Sequence, residues 1–506
     1  MVNSAKGLHL LKKAIAQARR AHPEVTSFWQ TRSLSRPVPP YALFQLLKQA
    51  PAPFFLDSGN GYSERGRYSF LSAFPFLQAT AYADRVELFL PDNAQTEVHR
   101  TAGGGSMAVL DGLQAKYRVA SQAPFPFAGG AVGFFSYDLK NEFERLPQIA
   151  IDDLGLPLWR LAWYDGIVVY DHREQKYWLT ACGMQDDGQC SSSLAKERLD
   201  RLEDLCRGCP VPEGSLPVAA DGLFSPAPSR KTLSPALARD RYLSDLKKVM
   251  EYIFAGDIYQ ANLTQRFTAP WDGDSWTLYQ RLREGNPAPF AAFLPYPDFQ
   301  ILCSSPERFI RLGVDGRIET CPIKGTRPRG ATPAADLSLA EELRASAKDR
   351  AELTMIIDLE RNDLGRICEV GTVAVPDRIR LEKYPTVWHL VSTVTGQVRA
   401  GLSPGELLRA IFPGGSISGA PKIRAMEIIE ELEPHRRGHY TGSIGYLGFD
   451  GAWDLNIVIR TILLKEGRAY VHAGGGIVAD SMPDQEYEET LHKARAMFDA
   501  LEGEMA

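Results

Sequence analysis

The chain has 506 residues, 44% of them hydrophobic and 24% charged, with a net charge of −5. That balance is ordinary for a globular protein and gives no broad positive field for nucleic acid, and no stretch reaches the roughly 20 apolar residues of a membrane helix. Seven cysteines, an odd number, point to reduced thiols rather than a disulfide framework, and a cytoplasmic setting is expected.

In chain order, residues 1–20 carry Lys6, Lys12, Lys13, Arg19 and Arg20 among short apolar pieces and read as an amphipathic helix, not a signal peptide. Residues 1–35 form an N-terminal extension. The region 36–183 is β-rich: strands are expected at 54–56, 86–90 and 166–170, with turns at Gly103-Gly104-Gly105, Gly129-Gly130 and Asp165-Gly166. A segment at 184–236 follows, with a helix over 194–205 and a Gly/Pro/Ser-rich linker from 208. Within it, Cys206-Arg-Gly-Cys209 is half of a metal or redox signature with no second half. In the region 237–506 helices are expected at 241–255, 338–363, 404–411 and 422–432. Strands are expected there at 299–304, 442–449, 454–464 and 468–473. Asp450-Gly451 and Glu466-Gly467 between apolar runs predict hairpins. The fold class is α+β with large antiparallel sheets.

Lys324 lies in Cys321-Pro-Ile-Lys-Gly-Thr-Arg-Pro-Arg-Gly330, after a β-like run at 317–320. A lysine is a nucleophile only when neutral, so its ordinary pKa of ~10.4 must be lowered by burial or by neighbouring positive charge. Arg327 and Arg329, on what reads as a Gly/Pro turn, are expected to recruit an anionic substrate and to depress the lysine. Taken alone, the run is a surface lysine on a basic turn. Asp349 with Glu352, and Glu486 with Glu489, stand at i, i+3, which puts each pair on one helix face. Two such faces suit a hard cation such as magnesium, although most acidic faces are simply solvated. Three glycine-rich segments, 413–422, 440–445 and 473–477, offer backbone N–H groups to an anion. The first precedes a helix but lacks the Gly-Lys-Ser/Thr ending of a P-loop. Arg460, ending an apolar strand, is a candidate carboxylate clamp. His389, alone in an apolar run, reads by itself as a core residue.

Together these segments resemble the chorismate-utilising enzymes over nearly the whole chain. The resemblance is carried by Gly256-Asp-Ile-Tyr-Gln-Ala-Asn-Leu-Thr-Gln265, Ser305-Pro-Glu307, Pro322-Ile-Lys-Gly-Thr-Arg-Pro-Arg329 and Asp358-Leu-Glu-Arg-Asn-Asp-Leu-Gly-Arg366. His389-Leu-Val-Ser, Ile459-Arg-Thr461 and Gly475-Gly-Ile-Val-Ala-Asp-Ser481 extend it. Phe55-Leu-Asp-Ser58, Gly66-Arg-Tyr-Ser-Phe70 and Gly129-Gly-Ala-Val-Gly-Phe-Phe-Ser-Tyr-Asp138 are similar to the large subunits of the anthranilate and aminodeoxychorismate synthases. The resemblance implies interleaved antiparallel sheets forming a sandwich with helices packed outside.

Within the family, anthranilate synthases read Pro-Ile-Ala-Gly-Thr, whereas members that aminate chorismate at C4 read Pro-Ile-Lys-Gly-Thr, as here. Members that use water place a base lysine where Gln260 stands. The resemblance thus implies a covalent Lys324 intermediate, Glu307 as general acid and His389 beside the reacting ring. Tyr440, Arg460, Gly475, Gly476, Ser416 and Thr326 would hold substrate. Glu352 and Glu489 would bind magnesium, with Asp349 and Glu486 acting through water. The chain has no glutaminase-like cysteine elbow, so a glutamine amidotransferase subunit is implied as the source of ammonia. Ser58, Arg67, Tyr68 and Ser69 mark a possible tryptophan site. The chain departs from the family at Leu353, where His or Asn is frequent, and at Ser416, where Thr is frequent.

Overall fold

The computed structural model describes residues 29–505 apart from 36–37, 60–63, 92–93, 102–104, 121, 209–230 and 385–386. The helix expected at 1–20, most of the 208–235 linker, part of the Gly103–Gly105 turn and Cys209 of the C-x-x-C lie outside the described residues.

Among the described residues two large sheets, of 13 and 12 strands, carry the fold. Both take strands from either side of the linker. In the first, Phe54–Asp57 pairs with Phe290–Pro295; in the second, Gly130–Phe135 pairs with Ser443–Gly448. The regions that are separate in sequence are therefore interleaved in space. The last residues of the N-terminal extension, Gln30–Leu34, join the first sheet beside Lys176–Ala181.

Strand pattern explains the layering. Gly130–Phe135 is buried at all six positions and Ser443–Gly448 likewise, as expected for strands covered on both faces. One set of side chains, including Phe134, Ile444, Ile301 and Leu463, fills the space between the sheets, and Phe134 meets Phe299 edge-on at 5.7 Å. The outer faces are covered by helices. Phe44 packs on Phe55, Trp276 and Phe293 on one side, while Leu353, Ile357 and Leu364 join the second sheet's outer core. Each such aromatic or aliphatic side chain, fully buried, contributes about 1.5–3 kcal/mol. Among the described residues, no helix is long and apolar enough to cross a membrane.

Most expected elements are present, and the helices at Pro404–Ile411 and Lys422–Leu432 match residue for residue. Two differ in a way that matters. The helix expected over 338–363 is two, Pro333–Ala345 and Ala347–Gly365, because Ser346 caps the second by accepting from the Asp349 N–H. The strand expected over 454–464 is also two. Trp453–Asn456 belongs to the second sheet and Thr461–Lys465 to the first, so 457–460 cross between the sheets. The run stays largely apolar through the crossing, where Ile457 and Val458 are buried.

Candidate active site

The crossovers build the centre of the site. Pro306-Glu307 links Gln300–Ser305 of the first sheet to Arg308–Leu312 of the second, alongside the 457–460 crossing, and the Ile457 N–H donates to the Glu307 carbonyl at 3.0 Å. Arg460 ends the other crossing with φ +51°, a left-handed conformation rarely taken by a residue with a side chain. Its Nη1 donates to Asn286 Oδ1 at 2.7 Å. Glu307 and Arg460 thus face the gap between the sheets.

Lys324 reaches the same gap from the strand Ile323–Pro328, which pairs with Val387–Gln397. The expected turn is therefore a strand with a bulge. Register shifts between Lys324 and Thr326, and Gly325 between them has φ +76°. A Cβ at Gly325 would lie 2.8 Å from Leu343 and 3.0 Å from Asp349, so the tight contacts and the left-handed backbone both favour glycine. Across the gap, a Cβ on Gly476 would stand 3.0 Å from Lys324 Nζ and 2.7 Å from Gln260 Nε2. The lysine amine is packed over bare backbone.

Burial lowers the Lys324 pKa, and Lys493 adds to the effect, while the Glu352, Glu307 and Glu489 carboxylates oppose it. The two arginines do not act as expected. Arg327 is paired with Glu342 at 2.7 Å and Asp349 at 3.4 Å, and Arg329 with Asp336 at 2.6 Å. Their charges are used by neighbouring acids on Pro333–Ala345 and the helix after it.

Glu307 is buried, and burial pushes its carboxyl up to about 7 against the opposing hydrogen bond from Ser416 Oγ at 2.8 Å and the charge of Lys324. His389 is buried and pulled down to about 3, first by burial and then by Arg460, so it is neutral. Its Nδ1 lies 3.0 Å from Thr326 Oγ1 and 3.4 Å from the Gly325 carbonyl, while Nε2 is buried without a partner. Tyr440 is buried and stacks on His472, with centroids 5.0 Å apart. Gly475 and Gly476 lie on Arg468–Ile477, whose neighbour Thr461–Lys465 ends at the Ile462–Val471 pair. Beyond that pair Gln260–Pro270 is the strand's only paired neighbour among the described residues. The 413–422 segment does not offer the expected open anion site. Its Gly419-Ala420 pairs with Gln260-Ala261, and Lys422 binds Asp363 at 2.5 Å.

Of the four helix acids, Glu352 and Glu489 act on Lys324, and all four are engaged by cations or a hydroxyl. Glu352 lies 3.9 Å from Lys324 and 4.0 Å from Lys348. Asp349 faces Arg327, Glu489 is 2.7 Å from Lys493, and Glu486 accepts from Ser481 at 2.7 Å. Among the described residues no three acidic, histidine or cysteine side chains converge on one metal-sized point. The donor chemistry still suits a hard divalent cation. Burial raises the Glu352 carboxyl, and Asp349 and Glu489 raise it further, a repulsion that a cation bound by oxygen would relieve. Lys493 and Asn286 were not singled out in the sequence. Lys493 was legible, standing at i+4 from Glu489; Asn286 is brought to Arg460 only by the fold.

A second cavity, of about 140 Å3, is lined by Ser58, Arg67 and Tyr68 together with Arg65, Phe290 and Asn456. Arg67 stacks over Tyr68 and pairs with Asp171 at 2.6 Å. Ser69 does not line this cavity. Its side chain points into the strand layer, accepting from the Ser58 N–H at 3.1 Å and bonding His172 at 2.7 Å.

Comparison with known proteins adds the relatives. The chain is 40% identical over 461 residues to aminodeoxychorismate synthase component 1 of Escherichia coli (strain K12), covering 91% of this chain and 95% of that one. It is 38% identical over 466 residues to anthranilate synthase component 1 of Acetivibrio thermocellus, covering 92% of each. The crystal structure of anthranilate synthase component I from Streptococcus pneumoniae TIGR4 superposes with a TM-score of 0.73 at 33% identity, covering 86% of this chain and 93% of that one. The sandwich fold with outer helices is the fold of that enzyme. With residues 74–499 matching the family described as chorismate binding enzyme, the chain belongs to the chorismate-binding enzymes.

Proposed function

We propose that this chain replaces the 4-hydroxyl of chorismate with an amine, as the large subunit of an aminodeoxychorismate synthase. One observation carries the reading: a largely buried lysine, its side chain 15% exposed and its pKa lowered, stands near a buried glutamic acid with its pKa raised. Opposite shifts on adjacent groups support the reading of Lys324 as nucleophile and Glu307 as acid. The Lys324 amine attacks ring C2 and loses a proton, both ring double bonds shift, and the C4–O bond breaks as Glu307 gives its proton to the departing hydroxyl, releasing water. Ammonia then bonds to C4 and loses a proton, both double bonds shift back, and the C2–N bond breaks as the lysine nitrogen takes up a proton. Arg460, Tyr440 and the N–H groups near Gly475 and Gly476 hold the enolpyruvyl carboxylate. Neutral His389, fixed by Gly325 and Thr326, lies beside the ring, and Ser416 orients Glu307.

Glu352 and Glu489 would hold a magnesium ion, with Asp349 and Glu486 outside them. The ion would neutralise and orient the ring carboxylate. A glutamine amidotransferase subunit would supply ammonia, in keeping with relatives named as component 1. The cavity beside Ser58, Arg67 and Tyr68 is assigned on the same reading to tryptophan.

The test is mass spectrometry of the protein with chorismate and magnesium but no ammonia. A mass increase on the peptide containing Lys324, discharged by ammonium, is expected, and the product should be the 4-amino compound retaining its enolpyruvyl group. Lys324→Ala should lose that product. Fluorescent anthranilate with pyruvate from the unaltered enzyme, or an unchanged 4-amino product from Lys324→Ala, would reject the assignment.

A further inference from the structure

Arg460 is held differently from the buried arginines elsewhere in the fold. Arg308 pairs with Asp454 at 2.9 Å, Arg437 with Glu433 at 2.7 Å and Arg266 with Asp153 at 2.5 Å, so each guanidinium is neutralised where it is packed. Arg460 instead donates from Nη1 to an amide, Asn286 Oδ1, at 2.7 Å, and among the described residues it makes no ion pair. Glu307 is the carboxyl whose charge acts on it, and burial keeps that acid protonated up to about 7.

Asn286 is itself fixed from several sides. It follows the helix Ser275–Gly285, and its N–H closes that helix on the Leu282 carbonyl at 2.9 Å. Its Nδ2 donates to the Ser304 carbonyl at 3.0 Å, and the Ser304 hydroxyl donates to the Asn286 carbonyl. Ser304 in turn donates its N–H to the Arg460 carbonyl at 3.1 Å. Residue 460 is thereby tied twice to one asparagine, by its side chain directly and by its backbone through Ser304. The tie matters because the left-handed backbone of Arg460, φ +51°, persists only where the surroundings impose it. A further bond joins the same two segments at their other ends, Asn456 Nδ2 donating to the Phe290 carbonyl at 2.9 Å.

The chemistry of position 286 is specific to an amide. A guanidinium only donates and a carbonyl only accepts, so the side chain between Arg460 and Ser304 must offer one acceptor and one donor. An ionised carboxylate would meet the first need, fail the second and take the arginine's charge.

We propose that Asn286 is a positioning residue for the substrate, aiming the Arg460 guanidinium into the gap between the sheets while leaving its charge free for a carboxylate. The inference rests on the reading of Arg460 as a clamp for the enolpyruvyl carboxylate and adds what holds that clamp ready. An amide partner uses one N–H of the guanidinium and none of its charge, so the rest of the fork remains for the ligand.

The test follows chorismate consumption at saturating magnesium and ammonium in Asn286→Ala, Asn286→Asp, Arg460→Lys and the combination of Asn286→Ala with Arg460→Lys. Asn286→Ala should raise the chorismate KM about tenfold, the loss of roughly one hydrogen bond to a charged group. Its kcat should stay within about twofold, because the clamp grips substrate and transition state alike. Asn286→Asp should raise KM at least as much, since the new carboxylate occupies the arginine. Adding Asn286→Ala to Arg460→Lys should raise KM no further, as expected when one residue acts through the other. An unchanged KM in Asn286→Ala, an unchanged KM in Asn286→Asp, or full additivity in the combined variant would overturn the inference. So would a fall in kcat and melting temperature alongside KM in both Asn286 variants, the mark of a general structural effect. Should Asn286→Ala not fold, Asn286→Asp decides alone. An unaltered chorismate KM in Arg460→Lys would remove the clamp and the inference together. Following substrate rather than product keeps this test separate from the amination reading, which stands or falls on product identity.

Discussion

Glu307 and Lys324 need opposite things from pH. On the proposed reading the acid must keep its proton and the amine must lose one, so each limb of the pH profile reports one of the two groups. With Glu307 at about 7, kcat/KM should fall as pH rises past that point. Glu307→Gln should abolish this alkaline limb and lower the rate about 100-fold or more, the usual contribution of a positioned acid. A pH–rate profile with the limb intact in Glu307→Gln would assign it elsewhere. The same shift has a sign for stability. The folded chain holds this proton more tightly than the unfolded one, so the stabilisation is full below the ordinary value of 4.5 and is lost as pH rises through about 7. Urea melts across that range should show a smaller alkaline loss for Glu307→Gln. Lys324 was readable from its motif, but the reason for its reactivity was not. The sequence put two arginines beside it; the structure ties both to acids, leaving burial as the main cause and Lys493 as the next.

Among the elements, the helices Ala347–Gly365 and Pro483–Leu501 bring the carboxylates to the site, and the strand Arg468–Ile477 supplies its glycine floor. If the helix acids hold magnesium, a chelator should abolish turnover while far-ultraviolet circular dichroism stays unchanged. Full activity with metal shown to be absent would end that assignment. The glycine floor gives a sharper test. Gly476→Ala would place a methyl 3.0 Å from Lys324 Nζ and 2.7 Å from Gln260 Nε2, both flexible side-chain ends. Those groups can move, so stability should change little. The lysine would be displaced, and activity should drop about 100-fold, as expected when a reacting group is misplaced by an ångström. Gly325→Ala should do the reverse, costing about 1–2 kcal/mol of stability for its left-handed backbone. Comparable thermal melts for the two variants would contradict this contrast. The i, i+3 acid pairs were visible in sequence because helical spacing alone sets them. The bulge at Gly325 was not, since it exists only through pairing with Val387–Gln397.

At the scale of the whole molecule, the sheets join the region 36–183 to the region 237–506 strand by strand. Removing either would leave long unpaired edges and open the inter-sheet core, so neither should fold alone. Thermal unfolding of the intact chain should give one cooperative transition; two separable transitions would mean that the regions are independent after all. By itself the sequence determined the α+β class, most strand and helix positions, and the family motifs that mark Lys324, Glu307, His389 and Arg460. Local periodicity, turn residues and short motifs are properties of neighbouring residues, so they can be read without a fold. Only the tertiary structure decided that the run at 454–464 breaks between two sheets, that Arg460 and Glu307 stand on adjacent crossings, and that Asn286 meets Arg460. It also decided which charges are used up by partners. Those facts depend on pairings between residues far apart in the chain, and burial, which sets each pKa here, is a property of the packed molecule alone.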